Sequence, residues 1–399
     1  MKQDKCIISQ PASFCREERN SAIAAQEPAY EFIKLAIDAH AKFHMVARQV
    51  DNAVAQPPQK FDEEGLLQFI ARQKTLARRV VCCYEAGCFG YGLHRRITAL
   101  GAENLVVAPQ DWDERHQGVK TDRTDAAAML SRLDRYLAGN RKALAVVRVP
   151  GVAEEVYRSR VRQRKQFQSA RNRWANQGKS LLLQYGLNLG WSWWKPDRYE
   201  KARSAVVERL GEYAEKILLM MGDFQEMVLS VNEKLDALTK EQQQKVRQQQ
   251  QKEARHPDPR EPGHAAVPRL KGVGELSLSQ IKAEVGDWNR FTNRRQVSSY
   301  TGLCPGVQGS GGKFTELSVT KHGNQRLRAA LVELAWLIVR YQQQYPPARK
   351  CRMVLEGKNR SARKKAIVAL ARKLAVDLWR LETGRSTPQK LGLELLKAA

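Results

Sequence analysis

Asp122 and Asp125 stand three residues apart in Val119-Lys120-Thr121-Asp122-Arg123-Thr124-Asp125-Ala126, at the start of an apolar-periodic stretch. On a helix, positions i and i+3 share a face, so both carboxylates can reach one ion. A hard divalent cation such as Mg²⁺ takes oxygen ligands and draws negative charge from several directions. The plainer reading is a capped helix start, because Thr121, Asp122 and Asp125 would favour a helix N-terminus in any protein. Two further acids bear on the choice. Asp38 follows the apolar run Phe32-Ile33-Lys34-Leu35-Ala36-Ile37, and Glu85 follows Val80-Val81-Cys82-Cys83-Tyr84. A single acid after a strand also serves as a turn residue. In α/β sheets, however, sites form at the carboxyl ends of strands. Asp38, Glu85, Asp122 and Asp125 can therefore converge on Mg²⁺, as one ion or two, with Mn²⁺ as the substitute.

A second group of reactive residues lies far along the chain. Ser310 sits in Gly309-Ser310-Gly311-Gly312-Lys313, close to Thr320-Lys321-His322-Gly323-Asn324. Glycine lets backbone approach a ligand closely, and the neighbouring Lys313 would favour an alkoxide or a phosphate. The alternative is a flexible polar loop. Upstream, Lys271-Gly272-Val273-Gly274 opens an apolar-periodic helix. Such a turn can present backbone N–H groups to phosphate, as helix-hairpin-helix modules do, or can be a simple helix entry.

The elements that must position these residues follow from periodicity. Residues 1–30 show no period and read as a poorly ordered tail. Phe32–His40 and Lys42–Val50 read as a strand hairpin, 61–78 as an amphipathic helix, and Val80–Tyr84 as a buried strand. Leu93–Leu100 reads as a helix and Leu105–Ala108 as a further strand. Alternating strands and helices indicate an α/β layer structure over 31–150. Residues 151–240 read as two long helices. The first is basic, and the second carries Leu210, Ile217, Phe224, Val231 and Leu238, with Met221, Val228 and Leu235 four residues after three of them. That interleaved seven-residue spacing is a coiled-coil seam or the core face of a helical bundle. Residues 241–262, rich in Gln, Pro and charge, read as a linker. Residues 263–399 read as a mainly helical second domain.

Composition names the partner. The chain has 399 residues, 68 Lys and Arg against 42 Asp and Glu, and a net charge of +26. A polyanion is implied, and nucleic acid is the commonest one. Candidate contacts are Lys120, Arg123, Arg160, Arg164, Arg171, Lys271, Gly272, Gly274, Lys313, Lys321 and Arg326. No apolar stretch approaches bilayer-spanning length. Seven cysteines without a CxxC pair suggest reduced thiols in a cytoplasmic protein rather than a zinc site. No GxxxxGK[ST] loop is present, so no nucleotide-driven step is expected.

In this order, Leu35-Ala36-Ile37-Asp38, Tyr84-Glu85-Ala86-Gly87, Lys120–Ala126, Gly302-Leu303-Cys304-Pro305, Ser310–Lys313 and Lys321–Asn324 resemble the DEDD-type insertion-sequence transposases related to the Piv DNA invertase. The resemblance spans roughly residues 31–345. It implies an RNase H-like (RuvC-like) N-terminal domain, a coiled-coil insertion and a C-terminal transposase domain. It further implies Asp38, Glu85, Asp122 and Asp125 as metal ligands and Ser310 as nucleophile, with Ser318 as the alternative hydroxyl. Double-stranded DNA, a guide (bridge) RNA and assembly as a dimer or tetramer are the implied partners. Two readings stay open beside it: a metal-dependent junction-resolving nuclease, and a non-catalytic nucleic-acid-binding protein.

Overall fold

The computed structural model describes residues 28–110, 121–255, 270–310, 313–357 and 359–396. The chain divides into two compact units, between Val149 and Pro150.

The first unit is built on a five-stranded sheet. Its strands are β1 (Tyr30–Ala39), β2 (His44–Val50), β3 (Gln56–Phe61), β4 (Ala77–Glu85) and β5 (Glu103–Val107), in the spatial order β3-β2-β1-β4-β5. β1, β4 and β5 are mutually parallel, whereas β2 and β3 run antiparallel to their neighbours. Helices cover both faces. Ile33, Leu35, Ile37, Cys82 and Tyr84 pack with α1 (Glu63–Leu76) and α2 (Gly92–Ala99). Ala36, Val81 and Cys83 pack on the opposite face with Ala126, Met129, Leu130 and Leu133 of α3 (Asp122–Leu137). Burial on both sides is why the central strands read as near-continuous apolar runs rather than alternating ones.

Strand β3 was not legible in the sequence. Its Pro57 and Pro58 argue against a strand, yet proline is tolerated where the strand is an edge, as here.

The second unit begins with two long helices, α4 (Val152–Gln184) and α6 (Ala214–Arg255), with α5 (Pro196–Leu210) between them. Arg160 meets Glu241, Arg164 meets Thr239 and Arg171 meets Asn232, so α4 and α6 run antiparallel. Ile217, Met221, Val228, Leu235 and Leu238 are buried, whereas Phe224 and Val231 of the same seven-residue spacing are only partly buried. Leu210 belongs to a separate helix, because Gly211 takes a left-handed φ of 51° and breaks the chain direction before α6. Helix α6 continues to Arg255, through much of the stretch read as a linker. The remainder of that linker falls outside the described residues.

The rest of this unit packs α7 (Glu275–Val285), α8 (Arg294–Thr301), α9 (Gln325–Tyr341), α10 (Pro346–Glu356) and α11 (Arg360–Glu382) around one apolar core. A short helix, α12 (Pro388–Leu391), follows. Ile367, Leu370, Leu374 and Leu378 of α11 belong to it. The glycine-rich stretch expected to be a loop is instead a hairpin of β6 (Pro305–Ser310) and β7 (Lys313–Val319), with Ser310 paired opposite Lys313.

Candidate metal and nucleic-acid site

The acids at the sheet edge are placed by register and by a helix cap. Ile37 pairs with Tyr84, so Asp38 and Glu85 stand at matching positions one residue further along their parallel strands. Alternation puts both on the side of Ala36 and Cys83, the side that α3 covers. Helix α3 starts at that edge. Thr121 caps it: its Oγ1 accepts from Thr124 N at 3.3 Å, and Thr124 Oγ1 accepts from Thr121 N at 3.1 Å. With the threonines forming the capping box, the carboxylates of Asp122 and Asp125 are not needed as caps.

Asp38, His40 and Asp122 form a triad whose ligand atoms all lie within 4.8 Å of one another. His40 Nε2 is 3.1 Å from Asp38 Oδ2 and 3.5 Å from Asp122 Oδ2. Burial lifts the Asp38 carboxyl above the usual aspartate range. The imidazole of His40 draws it down, and the charges of Asp122 and Asp125 push it up again, with a net upward shift. Asp125 thus acts on Asp38 through its charge, and Glu85 stands at the end of the neighbouring strand. Two carboxylates and an imidazole, crowded and half-open to solvent, suit a divalent cation that neutralises their mutual repulsion. The two carboxylates offer the oxygen ligands that Mg²⁺ or Mn²⁺ takes, and His40 adds a nitrogen ligand. His40 was not legible as a site residue. The only signal was its position two residues beyond a strand-terminal acid.

The other expected residues are placed as follows. Ser310 ends β6 at the tip of its hairpin, and Lys313 opens β7. Ser318 lies exposed on β7. Arg123 is exposed on the first turn of α3, and Lys120 lies outside the described residues. Arg160 holds Glu241 at 2.7 Å, Arg164 donates to Thr239 at 2.9 Å, and Arg171 bonds Asn232 at 3.1 Å while stacking on Trp191. These three guanidinium groups join α4 to α6. Lys271 pairs with Glu394 at 2.9 Å, and Gly274 caps α7. A Cβ on Gly272, whose φ is +79°, would meet the Tyr341 side chain at 2.3 Å, so close packing as well as backbone angle demands glycine there.

Lys321 and Arg326 flank a tight connection at the base of the serine hairpin. Lys321 is exposed with φ 58°, and its N–H donates to Gly302 O at 3.2 Å. Asn324 caps α9 through its Oδ1, and its Nδ2 donates to the buried Glu284 at 2.9 Å. Arg162 of α4 grips the same carboxylate with two bonds of 2.8 Å. Burial alone would raise the Glu284 carboxyl, but the bonds from Arg162 and Asn324, with the charge of Arg326, hold it below the ordinary range. This junction was invisible in the sequence, where Glu284 is one charge within a helix.

Acidic strand ends on a chain of net charge +26 describe a protein that works on nucleic acid. Comparison with known proteins makes the class specific. Residues 264–349, spanning α7 to the start of α10, match the model of the transposase IS116/IS110/IS902 family. "Putative transposase y4rJ" of Sinorhizobium fredii is 32% identical over 342 residues, covering 80% of this chain and 83% of that protein. The "Transposase for insertion sequence element IS1111A" of Coxiella burnetii is 26% identical over 345 residues, covering 82% of this chain and 86% of its own. The chain belongs to the IS116/IS110/IS902 family of transposases. It is thus a DNA-binding protein of transposition, and no helix among the described residues is long and apolar enough to cross a membrane.

Proposed function

We propose that this transposase cuts and rejoins insertion-sequence DNA by serine-linked phosphoryl exchange. Asp38, Glu85, Asp122 and Asp125 would hold Mg²⁺, with Mn²⁺ as substitute, and Ser310 would be the nucleophile. The observation that carries the reading is the meeting of Asp38 and Asp122 with His40 at the carboxyl ends of the parallel strands. A bound divalent cation supplies Lewis-acid stabilisation of the attacking and leaving oxygens at phosphorus.

The chain's own residues account for the rest. Ser310 Oγ forms a bond to the scissile phosphorus as the bond from phosphorus to the leaving strand breaks. The serine proton passes to the leaving oxygen. A hydroxyl of the partner strand then reverses the exchange and frees Ser310. One phosphodiester is exchanged for another, so no external energy source is required. The hairpin supports the nucleophile by holding Ser310 at its tip, opposite Lys313. The tight connection at Lys321–Asn324 fixes the base of that hairpin.

The strand order β3-β2-β1-β4-β5, with three parallel strands and an antiparallel pair, supports an RNase H-like (RuvC-like) assignment for the first unit. The antiparallel α4–α6 pair, with Ile217, Met221, Val228, Leu235 and Leu238 buried along α6, supports the coiled-coil reading. A guide RNA and a dimeric or tetrameric assembly belong to the same proposal through the sequence resemblance and the net charge of +26.

The test is a denaturation-resistant protein–DNA adduct formed with element DNA, Mg²⁺ and co-purified RNA. Ser310→Ala and Asp38→Asn should each abolish it. Cleavage without an adduct that survives Ser310→Ala would instead identify a metal-dependent nuclease.

A further inference from the structure

The second unit carries a basic surface that lies mostly beyond the segment matched to the family model, in a region to which the sequence assigned no role. Residues 346–373 contain ten Lys and Arg and a single acid, Glu356. Arg349, Lys350, Arg360, Arg363, Lys364 and Lys365 are all exposed. No ion pair is formed by any of these six among the described residues. Arg352 differs, because its guanidinium donates to Val339 O at 2.6 Å and Gln343 O at 2.7 Å, closing the end of α9.

The placement is unfavourable for the fold itself. Helix α11 has no acid in its first turn, and Arg360 is its first residue. Arg363, Lys364 and Lys365 follow within the next turn. Cations there oppose the helix macrodipole and repel one another. The first buried residue of α11 is Ile367, so this charged start projects past the apolar core. Charge set against stability and clear of the core calls for an anionic partner.

The chemistry of the surface selects among anions. Residues 346–373 contain no Phe, Tyr, Trp or His. Surfaces for single-stranded nucleic acid stack bases chiefly on aromatic side chains, and this stretch offers none. Arg and Lys on helices suit instead the evenly spaced phosphates of a duplex. The family membership makes DNA the duplex at hand.

We propose that Arg349 and Lys350 of α10 and the first two turns of α11 form a sequence-independent docking surface for the phosphate backbone of double-stranded DNA. The proposal rests on family membership and on this surface, and holds whether or not Ser310 is the nucleophile.

The experiment measures the affinity of the full chain for a DNA duplex of unrelated sequence across a salt series. The variant is Arg360→Gln/Arg363→Gln/Lys364→Gln. A control, Lys201→Gln/Arg203→Gln/Lys216→Gln, removes the same charge from exposed positions on α5 and α6. Each phosphate contact contributes about 0.9 to the slope of log affinity against log salt. The α11 variant should lower that slope by about 2–3 units, and the control by much less. An unchanged slope, or an equal fall in the control, overturns the proposal. So does an RNA duplex of the same length outcompeting the DNA in a manner that the α11 variant abolishes. A melting curve checks the fold of each variant. If the triple variant unfolds, Arg349→Gln/Lys350→Gln on α10 replaces it, with an expected slope change of about 2 units.

Discussion

At the scale of single residues, the candidate metal site is an arrangement that costs stability. The Asp38 carboxyl is part-buried beside Asp122 and Asp125, and its affinity for a proton is raised. A carboxyl whose folded pKa lies above its unfolded value destabilises the fold at every pH where it is ionised. Asp38→Asn should therefore raise the melting temperature of metal-free protein at pH 7. The same substitution should abolish the stabilisation that millimolar Mn²⁺ gives the parent, since a ligand that binds only the folded state raises its melting point. Thermal melting with and without Mn²⁺ checks both effects, and a parent melting point indifferent to Mn²⁺ would contradict the site. Asp38 and Asp122 were legible as candidates because each stands at an element boundary, after a strand or at a helix start. His40 was not, because its role depends on the turn between β1 and β2. There His40 N donates to Phe43 O at 3.0 Å, and the imidazole packs 4.9 Å from the Phe43 ring.

At the scale of elements, two contacts hold the second unit's parts in register. Trp193 lies over Gly178 of α4, where a Cβ would fall 2.1 Å from the indole, and Trp193 Nε1 donates to Ala175 O at 2.8 Å. Gly178→Ala should destabilise by about 1–3 kcal/mol, the usual cost of overpacking, read from the urea midpoint. The second contact is the Arg162–Glu284–Asn324 junction, which joins α4, α7 and the cap of α9. Glu284→Ala should cost about 3 kcal/mol, at the low end for a broken buried pair because Arg162 keeps part of its surface in water. Since the Glu284 carboxyl is held below its ordinary value, its contribution is complete above the unfolded glutamate value. It is lost as pH falls through the lower folded one. The difference in urea midpoint between parent and Glu284→Ala should therefore shrink on acidification from pH 7. A difference that grew would contradict the assignment. The α4 and α6 helices were legible from their periods. The β6–β7 hairpin was not, because Pro305 and the glycines at 306, 309, 311 and 312 erase the alternation that marks a strand.

At the scale of the whole molecule, the acids belong to one compact unit and Ser310 to the other. Composition alone revealed the polyanionic partner, and alternation of strands and helices revealed the first unit's class. The role of the residues after 345 was not legible, because a basic amphipathic stretch reads alike on a core helix and on a free one. In the fold, α11 lines the apolar core it shares with α7 to α10, and Gln342 ties α9 to the segments on either side by donating to Lys271 O and Glu394 O at 2.7 and 2.9 Å. The central claim is that DNA becomes covalently joined through a serine of this second unit while the acids of the first unit are intact. Its most direct test is to trap the adduct with Mg²⁺, digest protein and DNA, and find the residue that carries the nucleotide by mass spectrometry. The phosphate is expected on Ser310, with no adduct from Asp38→Asn. A nucleotide on Ser318 or on a tyrosine, or strand breaks with no modified peptide, would contradict it.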